Sequence, residues 1–226
     1  MNTYYKLIFL ISVVAFSVFA GEHPGGDIPV AVIMKAINEV NFKKGSAKWG
    51  NAKVGQQLAT NDEVKTGDKS LALIKFTDNS LIRVRENSNV KIYAEKNKDQ
   101  LSKNTYIDKG KVGFDVSKQE EEEFRFTTPT MVASIRGTGG YFKVDGEETL
   151  LFCSEGSIDV KATLGVRDSG TVLSGTYASV SNSGTINLGQ GTEQMKTENQ
   201  NLKKINAKKF VIKTTIGEVT IEYLDE

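Results

Sequence analysis

LALIKFTDNSLIRVR, residues 71–85, sets two apolar runs on either side of a turn-forming T-D-N-S. In the first run Ala72, Ile74 and Phe76 share one face of an extended strand. In the second, Ile82 and Val84 do so while Arg83 and Arg85 point away. Between them Asp78-Asn79 supply the positive φ angles of a tight hairpin turn, because short side chains with an acceptor oxygen tolerate left-handed backbone. Two paired strands are therefore the expectation, and the rest of the chain is read outward from them.

The same period recurs on the C-terminal side. In KVGFDVS, residues 111–117, Val112, Phe114 and Val116 form the inward set, and Lys111, Asp115 and Ser117 fall in solvent. Further turns are expected at Thr66-Gly67-Asp68, Asp108-Lys109-Gly110, Asp145-Gly146-Glu147 and Glu155-Gly156. Turn signals at roughly 8 to 12 residue intervals point to an all-β domain over residues 30–190. We expect about a dozen short strands in a roll or solenoid-like sandwich. From residue 191 to 226 the pattern changes to a small C-terminal helix and a β-hairpin. TEQMKTENQNLKKINAKKF (192–210) is rich in fair helix formers, with Met195, Leu202 and Ile205 as a thin apolar stripe. FVIKTTIGEVTIEYL (210–224) returns to alternation, with a bend expected at Ile216-Gly217-Glu218.

The chain has 226 residues, 38% hydrophobic and 25% charged, an ordinary globular balance. Residues 1–20, MNTYYKLIFLISVVAFSVFA, carry Lys6 ahead of an uncharged run of 14 residues ending at Ala20. That is the layout of a secretory signal peptide cleaved after Ala20, with an uncleaved membrane anchor as the alternative. The run falls short of the roughly 20 residues that cross a bilayer, so no integral span is expected after cleavage. Residues 21–29 read as a flexible N-terminal segment, and the mature chain belongs in the periplasm or outside the cell. Cleavage removes Lys6 from the 29 basic residues and leaves 28 against 28 acidic ones. A neutral balance lacks the basic footprint that nucleic-acid binding requires.

Chemistry is sparse. The only histidine, His23, lies just after the cleavage point, which leaves no His-dependent triad and no His cluster for zinc. The single Cys153 sits in the apolar run TLLFCSEG and reads as a buried structural thiol. The acidic run at residues 120–123 reads as a solvated loop rather than a cation site. Ser88-Asn89-Val90-Lys91 and Lys65-Thr66-Gly67 match two short penicillin-binding patterns in the wrong order, with no helix under the serine. In FTTPTMVASIRGTGGYF (126–142) the glycines after Arg136 lead into an alternating strand. Without a helix there is no row of free amides to hold a phosphate. These glycines are read as a turn or bulge, and Arg136 as a partner for a carboxylate within the domain. No enzyme, metal or cofactor is expected.

The order of the motifs resembles the FecR domain, named for the periplasmic part of a regulator of iron-citrate uptake. The resemblance rests on WGNAKVGQQLATNDEVKTGDKSLALIKFTDNSLIRVRENSNVKI (49–92), YIDKGKVGFDV (106–116), FRFTTPTMVASIRGTGGYFKV (124–144) and TLLFCSEGSIDVKA (149–162). It places structural motif residues at Trp49, Gly55, Asp62, Thr66, Gly67, Phe76, Asp78, Asn79, Ser80, Asn87, Ser88 and Gly110. Further on they are Thr128, Pro129, Thr130, Arg136, Gly137, Thr138, Glu155 and Gly156. Asn61 and Asn79 stand where the family usually has Gly, and Asn is the residue that best replaces Gly at positive φ. Gly139-Gly140 add length after R-G-T, which implies a bulge there. With five residues ahead of Lys6, the resemblance implies the extracytoplasmic module without the segment that handles a sigma factor. The expected function is a non-catalytic, exported binding module contacting another envelope protein in signalling or assembly, with residues 209–226 as a candidate edge. The alternative is a glycan or peptidoglycan binder using Trp49, Tyr93, Tyr106, Tyr141 and Tyr177 as aromatic platforms.

Overall fold

The computed structural model describes residues 28–97, 100–118, 124–205, 207–214 and 217–224. The expected signal peptide at 1–20, the expected flexible segment to residue 27 with His23, and the acidic run 120–123 lie outside the described residues.

Seventeen strands form one continuous hydrogen-bonded network, which folds into two sheets. Sheet A runs in space as β4 (Gln57–Leu58), β1 (Ala31–Ile37), β6 (Leu71–Phe76), β7 (Leu81–Val84) and the second part of β9 (Gln100–Asp115). It continues with β12 (Gly139–Val144), β13 (Glu148–Glu155), β16 (Thr176–Ser181) and β17 (Ile186–Gln190). Sheet B runs as β3 (Gly50–Asn51), β2 (Val40–Lys43), β5 (Glu63–Thr66), β8 (Asn89–Asn97) and the first part of β9. Its far half is β10 (Phe124–Thr127), β11 (Met131–Ile135), β14 (Ser157–Ala162) and β15 (Ser169–Leu173). All pairings are antiparallel except β9 with β10.

Successive hairpins alternate between sheets, so the chain winds as a flattened, open solenoid rather than a closed barrel. The all-β expectation holds, although among the described residues seventeen strands replace about a dozen in the sandwich. The excess arises because the chain changes sheet so often that several elements are only two to five residues long. The inward set read from period two forms the core: Ile74, Phe76, Ile82, Val84, Val112 and Phe114 are fully or almost fully buried. Phe76, Phe114 and Phe142 from sheet A interleave with Phe124 and Phe126 from sheet B, with ring centroids 4.9–5.3 Å apart. Burying each ring contributes roughly 1.5–3 kcal/mol, and the tilted and edge contacts add to it.

The 71–85 stretch is the β6–β7 hairpin, with Ile74 opposite Ile82. Its loop departs from the expected two-residue turn. Only Asn79 has positive φ, at 68°, and the Phe76 amide donates to the Ser80 carbonyl across three loop residues. Asp78 instead caps the loop through its side chain, Oδ1 accepting the Ser80 amide at 2.8 Å.

Beyond the sandwich, α1 (Glu193–Lys203) is capped by Thr192, whose hydroxyl accepts the Met195 amide. Leu202 is buried and Met195 packs beside it as expected, whereas Ile205 lies past the helix end. The chain ends in a separate hairpin of β18 (Ala207–Thr214) and β19 (Gly217–Leu224). Of the bend expected at 216–218, Ile216 lies outside the described residues, and Gly217 and Glu218 pair with Thr214 and Lys213.

Candidate interaction surfaces

The motif residues gather where the chain crosses between sheets. Three expected turns are crossings rather than hairpins: residues 66–68 lead from sheet B to sheet A, Gly110 passes β9 from B to A, and 155–156 lead from A to B. Alternation reveals that a strand stops but not which layer the next one joins. The 136–140 stretch is likewise a crossing, since β11 pairs in sheet B and β12 in sheet A.

One column of crossings is stapled by Thr66 and Ser88, both buried. The Thr66 hydroxyl donates to the Arg85 carbonyl at 2.5 Å and accepts the Ser88 amide at 3.1 Å. The Ser88 hydroxyl accepts the Lys111 amide at 2.9 Å. Gly110 lies against it with φ of 101°, and a Cβ there would stand 2.1 Å from Ser88 Oγ. Only glycine meets both conditions. Gly67 donates its amide to the Glu39 carbonyl and accepts from Asn87, whose side chain bonds Asp68. Buried Asp62 accepts the Ala59 and Gly45 amides.

A second column stacks Gly137, Thr138 and Gly156, with Gly156 against the Thr138 methyl and the Thr138 carbonyl accepting the Val116 amide. The bulge expected beside Gly139-Gly140 is present, with Ser154 as the extra residue on β13. At Gly140 a Cβ would lie 2.1 Å from the Phe152 carbonyl oxygen, so the strands close only over a glycine. Arg136 and Glu155 are exposed at these corners. Under the Thr128-Pro129-Thr130 turn, the Thr128 and Thr130 hydroxyls both bond the Thr149 hydroxyl at 2.8 Å, and the Pro129 carbonyl accepts from Thr163. Asn61 and Asn79 both have positive φ, as their standing in for glycine implies. Gly55, at φ of 84°, turns the chain before β4, while Trp49 stays half-exposed beneath the Lys43 ammonium.

Asp78 and Ser80 also tie the layers together. Lys103 points inward from β9, fully buried, and its ammonium bonds Asp78 Oδ2 at 2.5 Å. Burial pushes the Asp78 carboxyl up, but Lys103 and the Ser80 amide outweigh it and hold the group below the usual carboxylate range. The Ser80 hydroxyl accepts the Ser117 amide at 3.1 Å.

The outer face of sheet A is roofed by α1. Tyr141, Phe152 and Leu202 form a second buried cluster beneath it. Arg83 and Arg85 point away from the inward face as expected but lie under the helix, and Lys111 and Asp115, expected in solvent, are partly covered by it. Arg83 is buried and pairs with Asp115 at 2.6 Å, and Lys203 of the helix reaches the same carboxylate at 2.9 Å. Arg85 donates to the carbonyls of Asn201, Leu202 and Lys204, closing the helix C-terminus where unpaired carbonyls concentrate negative charge. Glu198 receives the Lys111 ammonium and the Tyr141 hydroxyl. Burial pushes Glu198 up, yet Lys111, Tyr141 and Lys143 together hold it low. Burial, then the Glu198 charge, pushes the Tyr141 phenol well above its ordinary value.

The outer face of sheet B carries no such cover among the described residues. Two register rows cross it. Tyr93, Asn104, Arg125, Ser134, Asp159 and Thr171 stand opposite one another across six strands. Beside them run Lys91, Tyr106, Thr127, Val132, Lys161 and Ser169. An open groove of ≈ 560 Å³ spans β10, β11, β14 and β15, and one of ≈ 460 Å³ adjoins it at Arg125. Of the five candidate aromatic platforms, Tyr93 and Tyr106 lie on this face. Tyr141 is only 1% exposed under the helix and offers no ring to solvent, while Tyr177, partly buried, packs beside it on the sheet A side. Cys153 is fully buried and burial raises its thiol. Among the described residues, no three His, Cys, Asp or Glu side chains converge to hold a metal, and no helix is long and apolar enough to cross a membrane.

The family described as FecR protein matches residues 62–159, somewhat under half of the chain. Two crystal structures of a candidate anti-sigma factor from Parabacteroides distasonis ATCC 8503, at 1.65 and 2.50 Å resolution, superpose with a TM-score of 0.50 at 16% identity. Each likeness covers 60% of this chain and 62% of the other, so the chain spans less than two thirds of that neighbour. At this identity the likeness concerns the fold. No curated protein matches the chain.

Proposed function

Because residues 62–159 form a FecR domain, we propose that the protein is a non-catalytic binding module of the cell envelope, exported through residues 1–20, that contacts another envelope protein in signalling or assembly. The observation that carries this reading is the open outer face of sheet B. It lies largely inside the FecR domain, while most of the motif residues are occupied in stapling corners and sheets. Mixed short polar groups with a few charges suit a protein contact with a polar rim. The solved neighbour's description as a candidate anti-sigma factor supports a regulatory setting.

Photo-crosslinking in the native envelope tests it. A photoreactive residue at Ser134 or Lys161 should capture one repeatable envelope protein. The same residue at Lys196, on the solvent side of α1, should not. Equal capture from both sides, or none from sheet B, would remove the assignment.

A second reading, glycan or peptidoglycan binding, draws on the shared face of Tyr93 and Tyr106, with the Lys91 ammonium over the Tyr93 ring at 5.1 Å. Aromatic rings with neighbouring amides and hydroxyls can stack and hydrogen-bond sugars. In that case Tyr93→Ala would abolish retention on purified peptidoglycan without changing the melting temperature, and no protein partner would be captured.

A further inference from the structure

The two ends of the sandwich differ. At the N-terminal end the outermost strands among the described residues are β3 and β4, two residues each. Edges that short offer almost no unpaired backbone, which is one way proteins avoid unwanted strand addition. At the opposite end the outermost strands are β15 and β17, five residues each, paired on one side only among the described residues.

That end is also largely apolar, its two edge strands carrying no charge and its loop bearing the single pair Arg167 and Asp168. Leu164, Val166, Leu173 and Leu188 are 44%, 72%, 57% and 53% exposed. Leu188 is the most telling. It stands opposite buried Ala178, so its parity is that of the core, yet no further strand covers it. Its side chain lies 3.5 Å from the Cβ position of Gly170, which brings the edges of the two sheets side by side. The loop bearing Leu164 and Val166 is hydrogen-bonded to the β16–β17 turn, Val166 donating to the Ser183 carbonyl, so all four residues belong to one region. From Ser169 to Thr192 the sequence has 24 consecutive residues without a charge, in a chain that is 25% charged. Edges are commonly guarded by Lys or Pro, and neither occurs in β15 or β17.

We propose that this open end is a homotypic interface, where β15 of one copy pairs antiparallel with β15 of a second, Leu164, Val166 and Leu188 close the core between them, and Leu173 flanks the contact on the outer face of sheet B. A charge-free strand meets its own copy without repulsion, as a two-fold contact requires. A head-to-tail stack would need a matching edge at the other end, and β3 and β4 do not provide one, so the assembly closes as a dimer instead of growing into a fibre. The proposal is independent of the envelope partner, which the outer face of sheet B is assigned to receive.

Sedimentation velocity of the mature chain over a concentration series is the test. The parent should form a dimer. Leu188→Lys and Leu173→Lys, both at exposed positions, should each weaken it by at least about tenfold at unchanged melting temperature. Val54→Lys, equally exposed at the other end, should leave it intact. Thr171→Cys, at the middle of β15, should give a covalent dimer on mild oxidation, with Cys153 buried and silent. A parent that stays monomeric, a dimer lost with Val54→Lys, or a Thr171→Cys variant that does not cross-link would each overturn the proposal.

Discussion

The outer faces of the two sheets begin from the same local rule and end in different environments. On both, alternate residues turn away from the shared core. On sheet A those residues include Arg83, Arg85, Lys111, Asp115 and Tyr141, and α1 closes over them. On sheet B the equivalent rows of Asn104, Ser134, Asp159 and Thr171 remain open. Period two says which side of a strand avoids the core. It does not say whether water reaches that side. The roofed face has long charged side chains that reach partners on the helix, and the open face has mostly short polar ones whose bonds run along the sheet, as from Thr171 to Asp159 and from Thr127 to Asn104.

Lys103 offers the largest test of this comparison, because it joins the sheets instead of favouring either face. Lys103→Met leaves Asp78 buried and without its cation, and should destabilise by about 3–5 kcal/mol in chemical denaturation. Both outer faces should lose amide protection together. Adding Asp78→Asn, which keeps an acceptor for the Ser80 amide, should restore part of the loss. Loss of protection on one face alone would mean that the sheets do not unfold as a unit.

Leu202→Ala acts on the roof alone. Leu202 lies in the small cluster with Tyr141 and Phe152, and truncation should cost about 2–3 kcal/mol of helix docking. Hydrogen exchange should rise across 193–203 and stay unchanged in β10, β11 and β14. Unfolding of the whole domain would show that the helix is integral to the sandwich rather than a cover laid on it.

The sequence made much of one layer legible and little of the roof. The β6–β7 hairpin, the inward sets of β6, β7 and β9, and the positive φ of Asn61 and Asn79 follow from local rules, since strand period and turn chemistry act over a few residues. The crossings at Gly67, Gly110 and Gly156 were readable as breaks only. Whether a chain turns back or changes sheet depends on what it meets, such as Ser88 beneath Gly110. The cover over Arg83 and Asp115 is not legible locally, because it comes from a helix about 80 residues or more further along. The helix sequence itself signalled Met195 and Leu202 but not Glu198, whose role depends on Lys111 and Tyr141 in sheet A.

The roof should also respond to pH. Lys111, Tyr141 and Lys143 face Glu198 and lower its folded-state affinity for a proton. Its contribution is therefore complete above the ordinary carboxylate range and is lost as pH falls through the depressed folded value. Tyr141 acts at the other limit: its raised phenol keeps its proton after the unfolded chain has lost one, so stability declines as pH rises above about 10. Exchange protection of α1 should fall at both extremes, and Glu198→Gln should flatten the acid limb. An unchanged acid limb in that variant would assign it to another carboxylate.

The smallest effects come from matched lysines, one on each face. Lys111 meets Glu198 under the edge of the helix, with about a third of its side chain exposed, so Lys111→Ala should cost about 1 kcal/mol after screening by solvent. Lys161 stands exposed on the open face, and Lys161→Ala should change stability by no more than about 0.5 kcal/mol. The order should reverse when partner capture is measured, since only Lys161 lies on the surface assigned to the partner. If the two variants shifted both stability and capture alike, the faces would not be divided between holding the fold and meeting a partner, and the roof would itself have to be treated as part of the binding surface.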